Sequence, residues 1–171
     1  MTDHDCFTIT PPIVEPIPFI LSIPHCGTAF PEKIKSKYKK ELIKYPDDTD
    51  WHLDILYDFA PELGITTISA NYSRWVIDLN RNPENKSLYD DGRIITSLCP
   101  TTNFLGENIY IKNQEPSLDQ IEGRLKNYYW PYHNKINQLI NQFKTKFSAV
   151  FFWDAHSIRR HVPTINPIPF P

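Results

Sequence analysis

Short apolar runs alternate with amphipathic segments along most of the chain. The runs at 19–23 (FILSI), 65–70 (ITTISA), 75–79 (WVIDL) and 149–153 (AVFFW) have the length and β-rich composition of buried strands. Apolar residues recur at helical spacing within 50–63 and 117–147, and segment 31–44 is basic on one face. We therefore predict three helices, the last kinked or split at Pro131. This alternation predicts an α/β fold with a layered sheet.

Size and composition are those of one globular domain. The chain has 171 residues, of which 40% are hydrophobic and 22% charged, far from the composition of disordered chains. Prolines gather near both ends and predict extended backbone there. Because no linker or composition shift divides the sequence, we predict a single domain over 1–171.

Charge and cysteine content narrow the expected partners and compartment. A formal charge of -2 gives no basic excess that would favour nucleic acid. Three cysteines without CxxC spacing suggest neither a disulfide framework nor a cysteine zinc site, which fits a reducing cytoplasm. No leader pattern or apolar run of ~18 residues is present, so we expect no membrane association.

Two histidines occupy equivalent positions. His25 and His156 each follow an apolar run and precede a small residue. Ligands of open α/β sheets gather at the carboxyl ends of strands, where two imidazoles and a carboxylate could bind zinc. The acidic cluster at positions 47, 48, 50 and 54 could supply that carboxylate. The pattern is equally compatible with hydrogen-bonded loop histidines and an acidic cluster that caps a helix.

A second candidate site is the segment SRWVIDLNR at 73–81, a predicted strand flanked by two arginines. A guanidinium can bind a carboxylate in a bidentate manner, through two parallel hydrogen bonds, so Arg81 beside Asn80 suits an anionic substrate. Surface salt bridges are the alternative.

For the other histidines and for the cysteine next to His25 we expect structural rather than catalytic roles. We expect His133 to pack or hydrogen-bond on a helix, His52 to lie on a helix surface, and His4 and His161 to lie in extended ends. Cys26 is expected to fill space, because no pattern supplies a base for it.

Five stretches resemble, in order, motifs of the N-formylglutamate amidohydrolase (N-formylglutamate deformylase) family. They are SIPHCG at 22–27, DTDWHLD at 48–54, SRWVIDLNR at 73–81, YWPYH at 129–133 and DAHS at 154–157. The family's fold is similar to that of zinc carboxypeptidases and aspartoacylases. The resemblance implies a three-layer α/β/α domain with a mixed sheet, which hydrolyses N-formyl-L-glutamate to formate and L-glutamate in histidine degradation with the help of zinc.

The resemblance also implies a set of metal ligands. It makes His25 and His156 zinc ligands. Relatives usually take a glutamate three residues after the first histidine, but Thr28 stands there. Asp50 is therefore the expected third ligand, with Asp48 in reserve.

Substrate contacts follow from the same resemblance. Asn80 and Arg81 look like the Asn-Arg pair that holds a substrate carboxylate in this fold, and Arg74 is expected to steady the oxyanion. The expected partner is a small N-acyl amino acid, and homo-oligomers are expected to be possible.

One departure from the family concerns the general base. Family members continue beyond the strand that ends in DAHS, and their later segments contain a glutamate that the resemblance implies to be the general base. Residues 157–171 of this chain contain no Asp or Glu. We expect a truncated or split product, a non-catalytic carboxylate-binding or interaction module, or use of another carboxylate such as Asp48 or Asp154 as the base. An amidohydrolase for other N-acyl amino acids is a related alternative. We expect low activity, and an unpaired sheet edge that favours self-association.

Overall fold

A computed structural model describes residues 6–84, 97–160 and 162. The elements in chain order are β1 (Phe7–Thr10), β2 (Phe19–Ile23), α1 (Glu32–Lys35), α2 (Leu53–Leu56), a 3-10 helix (Ala60–Leu63), β3 (Thr66–Ala70), α3 (Leu118–Arg124), a π-helical segment (Leu125–Tyr129), α4 (Trp130–Lys144) and β4 (Phe151–Asp154). The predictions for His4 and His161 lie outside the described residues. None of the described helices is long and apolar enough to cross a bilayer.

The four strands form one mixed sheet in the order β1-β3-β2-β4. β1 runs antiparallel to β3, whereas β2 is parallel to both β3 and β4. The predicted strands at 19–23 and 65–70 are confirmed, and the one predicted at 149–153 lies at 151–154. β1 falls in the N-terminal segment for which the prolines predicted only extended backbone.

Helices and loops cover both faces of this sheet. Ile20 belongs to a large core cluster that also holds Ile136 and Leu139 of α4. Leu21 and Ile23 belong to a second cluster with Leu53, Ala60, Ile65 and Ala155. Because successive strand residues point to opposite faces, these clusters lie on opposite sides of β2, as the predicted three-layer α/β/α architecture requires.

The predicted strand at 75–79 is wrong. Residues 74–76 and 79–80 form turns, although Trp75, Val76 and Ile77 are buried. A continuous apolar run shows that a segment is buried on all sides, but a buried turn gives the same pattern as a buried strand. We call residues 73–81 the site loop.

The predicted helix at 31–44 is largely wrong, because α1 ends at Lys35. Tyr38 is fully buried and forms an isolated bridge with Tyr110, while Lys39 N donates to Ile109 O at 2.9 Å. This pairing with a distant segment replaces the helical hydrogen bonds. The predicted helix at 50–63 is reduced to α2 and the 3-10 helix, which contains Pro61.

The long helix predicted at 117–147 is confirmed in position. α3, the π-helical segment and α4 follow one another without a break from Leu118 to Lys144. Pro131 lies in the first turn of α4, directly after the widened π turn. The backbone is thus locally adjusted rather than broken.

Candidate functional site

His25 and His156 lie side by side because the strands before them are parallel neighbours. Ser22 of β2 is paired with Asp154 of β4, and Ala155 N donates to Ser22 O at 2.8 Å. The two imidazole centroids are 4.9 Å apart. The carboxyl ends of the strands therefore bring the two histidines together, as the sequence predicted.

Asp50 reaches the same point from the loop before α2. Its backbone N donates to His25 O at 3.0 Å, which ties this loop to the end of β2. One ligand atom from each of His25, Asp50 and His156 can be chosen so that all lie within 4.8 Å of one another. We call these three residues the triad.

Hydrogen bonding keeps the Asp50 carboxylate ionised. Its Oδ2 lies 3.1 Å from Nδ1 of His156 and accepts a hydrogen bond from Ser157 N at 3.1 Å. Burial alone would raise the pKa of Asp50, but these bonds and the nearby His25 ring outweigh it and lower the pKa to about 2. Asp50 thus carries a negative charge at neutral pH.

Asp78 orients His25 from the opposite side. His25 Nε2 lies 2.8 Å from Asp78 Oδ1, and the other oxygen, Oδ2, accepts a hydrogen bond from Arg74 Nη2 at 2.5 Å. Complete burial would raise the pKa of Asp78, but Arg74 and His25 hold it well below its usual range. Because a carboxylate can only accept, Nε2 of His25 donates to Asp78, and Nδ1 is the ring nitrogen that remains for another partner.

The chemistry of the triad fits a zinc ion. Nδ1 of His25 is buried without a hydrogen-bond partner and lies 3.8 Å from Asp50 Oδ2, too far for a hydrogen bond. Metal-binding histidines usually donate their second ring N–H to a carboxylate, as His25 does to Asp78. Two imidazoles and one carboxylate form a donor set found in catalytic zinc sites.

His156 is the exposed member of the triad. Its Nδ1 faces Asp50, while its Nε2 lies 3.1 Å from Asp154 Oδ2 and 3.2 Å from Asn80 Nδ2. The hydrogen bonds with Asp154 and then with Asp50 outweigh partial burial and raise the pKa of His156 to about 9. Without a metal, this ring is therefore a cation between two carboxylates.

The predicted substrate-binding residues lie at the end of the site loop. Asn80 is exposed beside His156. The Arg81 side chain is 18% exposed, and its Nε lies 3.7 Å from Asp78 Oδ2. Arg74 is more deeply placed, with 7% of its side chain exposed and its guanidinium 5.0 Å from the Phe104 ring centroid. The three residues therefore surround Asp78 at different depths.

Asp48, the reserve ligand, has both oxygens engaged elsewhere. Oδ2 accepts a hydrogen bond from Trp75 Nε1 and Oδ1 accepts one from Phe104 N, both at 2.8 Å. Cys26 Sγ contacts the carbonyls of Ile23 and Ala70, and burial raises its pKa to about 12, so it remains a neutral thiol. These contacts tie separate segments of the fold together.

Asp78 is the site residue for which no role was predicted, although it stands inside the motif SRWVIDLNR at 73–81. Asp78 interrupts the apolar run WVIDL, and a carboxylate in such a run signals a buried, paired charge. Its partner His25, however, is 53 positions away in sequence.

Comparison with known proteins gives consistent matches. The family model for N-formylglutamate amidohydrolase matches residues 17–171. N-formylglutamate deformylases of Pseudomonas aeruginosa and Pseudomonas putida are 40% and 37% identical over 147 residues, which are 86% of this chain and 54% of each relative. The chain thus spans about half the length of these curated relatives.

Solved structures support the fold. The crystal structure of N-formylglutamate amidohydrolase from Ralstonia eutropha JMP134 has a TM-score of 0.74 at 23% identity, covering 95% of this chain and 63% of that one. A gene product of Agrobacterium tumefaciens has a TM-score of 0.72 at 16% identity, covering 91% and 57% respectively. These similarities show a shared α/β architecture.

Proposed function

The chain belongs to the N-formylglutamate amidohydrolase family, and on that premise we propose that it carries the zinc- and carboxylate-binding part of an N-formylglutamate deformylase. The reaction would convert N-formyl-L-glutamate to formate and L-glutamate, within cytoplasmic histidine degradation. The main support is the triad, in which Nδ1 of His25 is buried without a hydrogen-bond partner next to Asp50 and His156.

In this proposal His25, Asp50 and His156 hold the zinc ion. When bound, zinc supplies Lewis acidity, which polarises a carbonyl and lowers the pKa of water. Asp78 keeps the His25 Nε2–H in place, and Arg74 keeps Asp78 ionised. The oxyanion role expected for Arg74 competes with its bond to Asp78, so positioning of Asp78 is the better-supported role.

Arg81 and Asn80 would bind a carboxylate of the substrate. They lie two and three residues after Asp78 in sequence, and Asn80 lies beside the exposed ring of His156. A glutamate-like substrate held here would place its acyl group towards the triad. Fixing the substrate in this way lowers the entropic cost of reaction.

Among the described residues, Asp154 is the better candidate for the general base. Its carboxylate is 34% exposed and contacts His156, whereas both oxygens of Asp48 are committed to the core. It could accept a proton from water and return it to the leaving nitrogen.

A carboxylate-binding or interaction module without turnover is the second candidate. It is favoured by β4, whose four residues are all exposed at the strand next to the triad. Hydrolysis assays with N-formylglutamate, N-acetylaspartate and short peptides, at equimolar zinc, separate the candidates. Turnover of N-formylglutamate alone supports the deformylase, turnover of another substrate redirects the specificity, and binding without turnover supports the module.

Metal analysis tests the triad directly. We expect about one zinc per chain in the wild type and in His52→Ala, because His52 is an exposed histidine outside the triad. His25→Ala and His156→Ala should each lose most of it. Equal zinc content in all four proteins would rule the site out.

Substrate-carboxylate binding is tested by calorimetry with L-glutamate. Arg81→Ala should weaken binding by about 1.5–3 kcal/mol, the range for a hydrogen bond to a charged group. Zinc content should not change. Equal affinity in the two proteins would leave Arg81 as a structural ion-pair residue.

A further inference from the structure

Four backbone carbonyls of the site loop accept hydrogen bonds from side chains outside the loop. The bonds are Tyr38 Oη to Trp75 O at 3.0 Å, Arg124 Nη1 to Val76 O at 2.8 Å, His133 Nε2 to Leu79 O at 3.0 Å, and Tyr129 Oη to Arg81 O at 2.9 Å. We call Tyr38, Arg124, Tyr129 and His133 the carbonyl clamp. Three of the four come from the long helix.

The loop needs these donors because it is buried but is not a strand. Its carbonyls have no ladder partners, and a buried carbonyl without a partner costs about 1–3 kcal/mol. Side chains therefore take the place of a neighbouring strand. In contrast to a ladder, this arrangement lets the loop turn Asp78 towards His25 and Asn80 towards His156.

The π-helical segment makes the clamp possible. On an α-helix, residues five apart such as Arg124 and Tyr129 point about 140° away from each other. The widened turn at Leu125–Tyr129 reduces this angle, so both side chains reach the loop. Tyr129 and His133 are four apart on one face, with ring centroids 4.2 Å from each other.

We propose that the carbonyl clamp is a positioning device for substrate binding, in which Tyr129 and His133 set the placement of Asn80 and Arg81. The two carbonyls they hold belong to Leu79, immediately before this pair, and to Arg81, its second residue. This inference rests on the proposed carboxylate-binding role of Arg81. It gives a function to the YWPYH stretch, whose histidine was expected to pack or hydrogen-bond on the helix.

His133 is placed to donate a hydrogen bond to the loop. Its burial lowers its pKa, so the ring is neutral at pH 7, and its Nε2–H must donate because Leu79 offers a carbonyl. Tyr129 Oη likewise donates to Arg81 O. Neither side chain is among the residues of the triad, so both can be changed without removing a metal ligand.

The test measures L-glutamate affinity by calorimetry and zinc content by metal analysis in matched variants. Tyr129→Phe and His133→Leu should keep their zinc and bind L-glutamate about three- to tenfold more weakly, the effect of one hydrogen bond. His133→Gln retains an amide donor, so its affinity for L-glutamate should stay close to that of the wild type. Tyr132→Phe is the control, because it removes a buried hydroxyl of the same helix that bonds Ser22 Oγ at 2.9 Å, away from the loop.

Wild-type affinity in Tyr129→Phe and His133→Leu, or an equal loss in Tyr132→Phe, would overturn the proposal. If the wild type itself does not bind glutamate, the proposed function fails, and hydrogen exchange then tests the clamp. The amides of Val76 and Asp78, which donate to Ser73 O and Leu98 O, report on loop order. They should exchange faster in the two clamp variants than in Tyr132→Phe, and equal exchange would overturn the clamp.

Discussion

His25 and His156 follow neighbouring parallel strands, yet their surroundings differ. The side chain of His25 is 3% exposed and bonds to Asp78, which is completely buried. The side chain of His156 is 33% exposed, and its partner Asp154 is 34% exposed. One histidine is thus held from within the core, and the other at the surface.

The difference follows from the place of each strand in the sheet. β2 is central and buried, whereas β4 pairs only with β2 among the described strands and is exposed at all four positions. The buried core therefore places His25 and Asp78, which we call the inner half of the site. His156 and Asp154 form the outer half, where a hydrogen bond with Asp50 holds the His156 ring.

Replacing Asp78 should have the largest effect on stability. Asp78→Asn leaves Arg74 as a buried cation without a full counter-charge, which typically costs about 3–5 kcal/mol. Asn is nearly the same size, so no cavity contributes. Urea unfolding of the metal-free protein measures this loss of unfolding free energy.

Asp154→Asn is the matched control on the outer half. It removes a carboxylate from the other histidine, but solvent screens that pair, so the loss should stay below about 1 kcal/mol. Equal losses in the two variants would contradict the distinction between a core-held and a surface-held histidine.

Gly27 is the next most sensitive position on the inner half. A Cβ there would lie 2.5 Å from Tyr72 O and 2.8 Å from Ala70 O, both backbone atoms. Gly27→Ala must move the loop after His25 away from β3, which should cost about 1–3 kcal/mol and weaken zinc binding. Thermal unfolding and metal analysis check both effects.

Gly123→Ala provides the control for that substitution. Nothing lies within 4 Å of a Cβ at Gly123, which is inside α3, so alanine should stabilise the protein by up to about 1 kcal/mol. Destabilisation by both changes would show that the Gly27 effect is not due to its close packing.

The sequence predicted the parts of this fold that follow from local pattern. The strands β2 and β3 and the long helix have apolar runs of the right period, and the strand ends placed His25 and His156 together. The site loop was not predictable from pattern, because its turns depend on side chains from distant segments such as Tyr38 and Arg124. The support of His25 by Asp78 depends on those turns, so it could not be predicted either.

The outer half should also show its own pH dependence in metal-free protein. The folded state raises the pKa of His156 from 6.5 to about 9 through Asp154 and Asp50, so the charged ring stabilises the fold. That stability is fully present below pH 6.5 and is lost as the pH rises to about 9. In urea unfolding, the wild type should exceed His156→Gln at the acidic end, and the difference should shrink across this window. A difference that grows with pH would contradict the assignment.

Substitutions on the exposed face of β4 should have the smallest effect on stability. They should instead change self-association of the chain. Phe151, Phe152 and Trp153 are 61%, 41% and 49% exposed on β4, which lies at the edge of the sheet among the described strands, and sheet edges template pairing between chains. Phe152→Lys should change the unfolding free energy by no more than about 0.5 kcal/mol, because little is buried there. It should nevertheless weaken self-association several-fold in sedimentation, since a charge on an edge strand opposes pairing.

Leu118→Lys is the control for this prediction. Leu118 is 79% exposed at the start of α3, so the substitution introduces the same charge away from β4 and should leave association unchanged. If both variants, or neither, alter association, the β4 edge is not the surface through which copies of this chain meet.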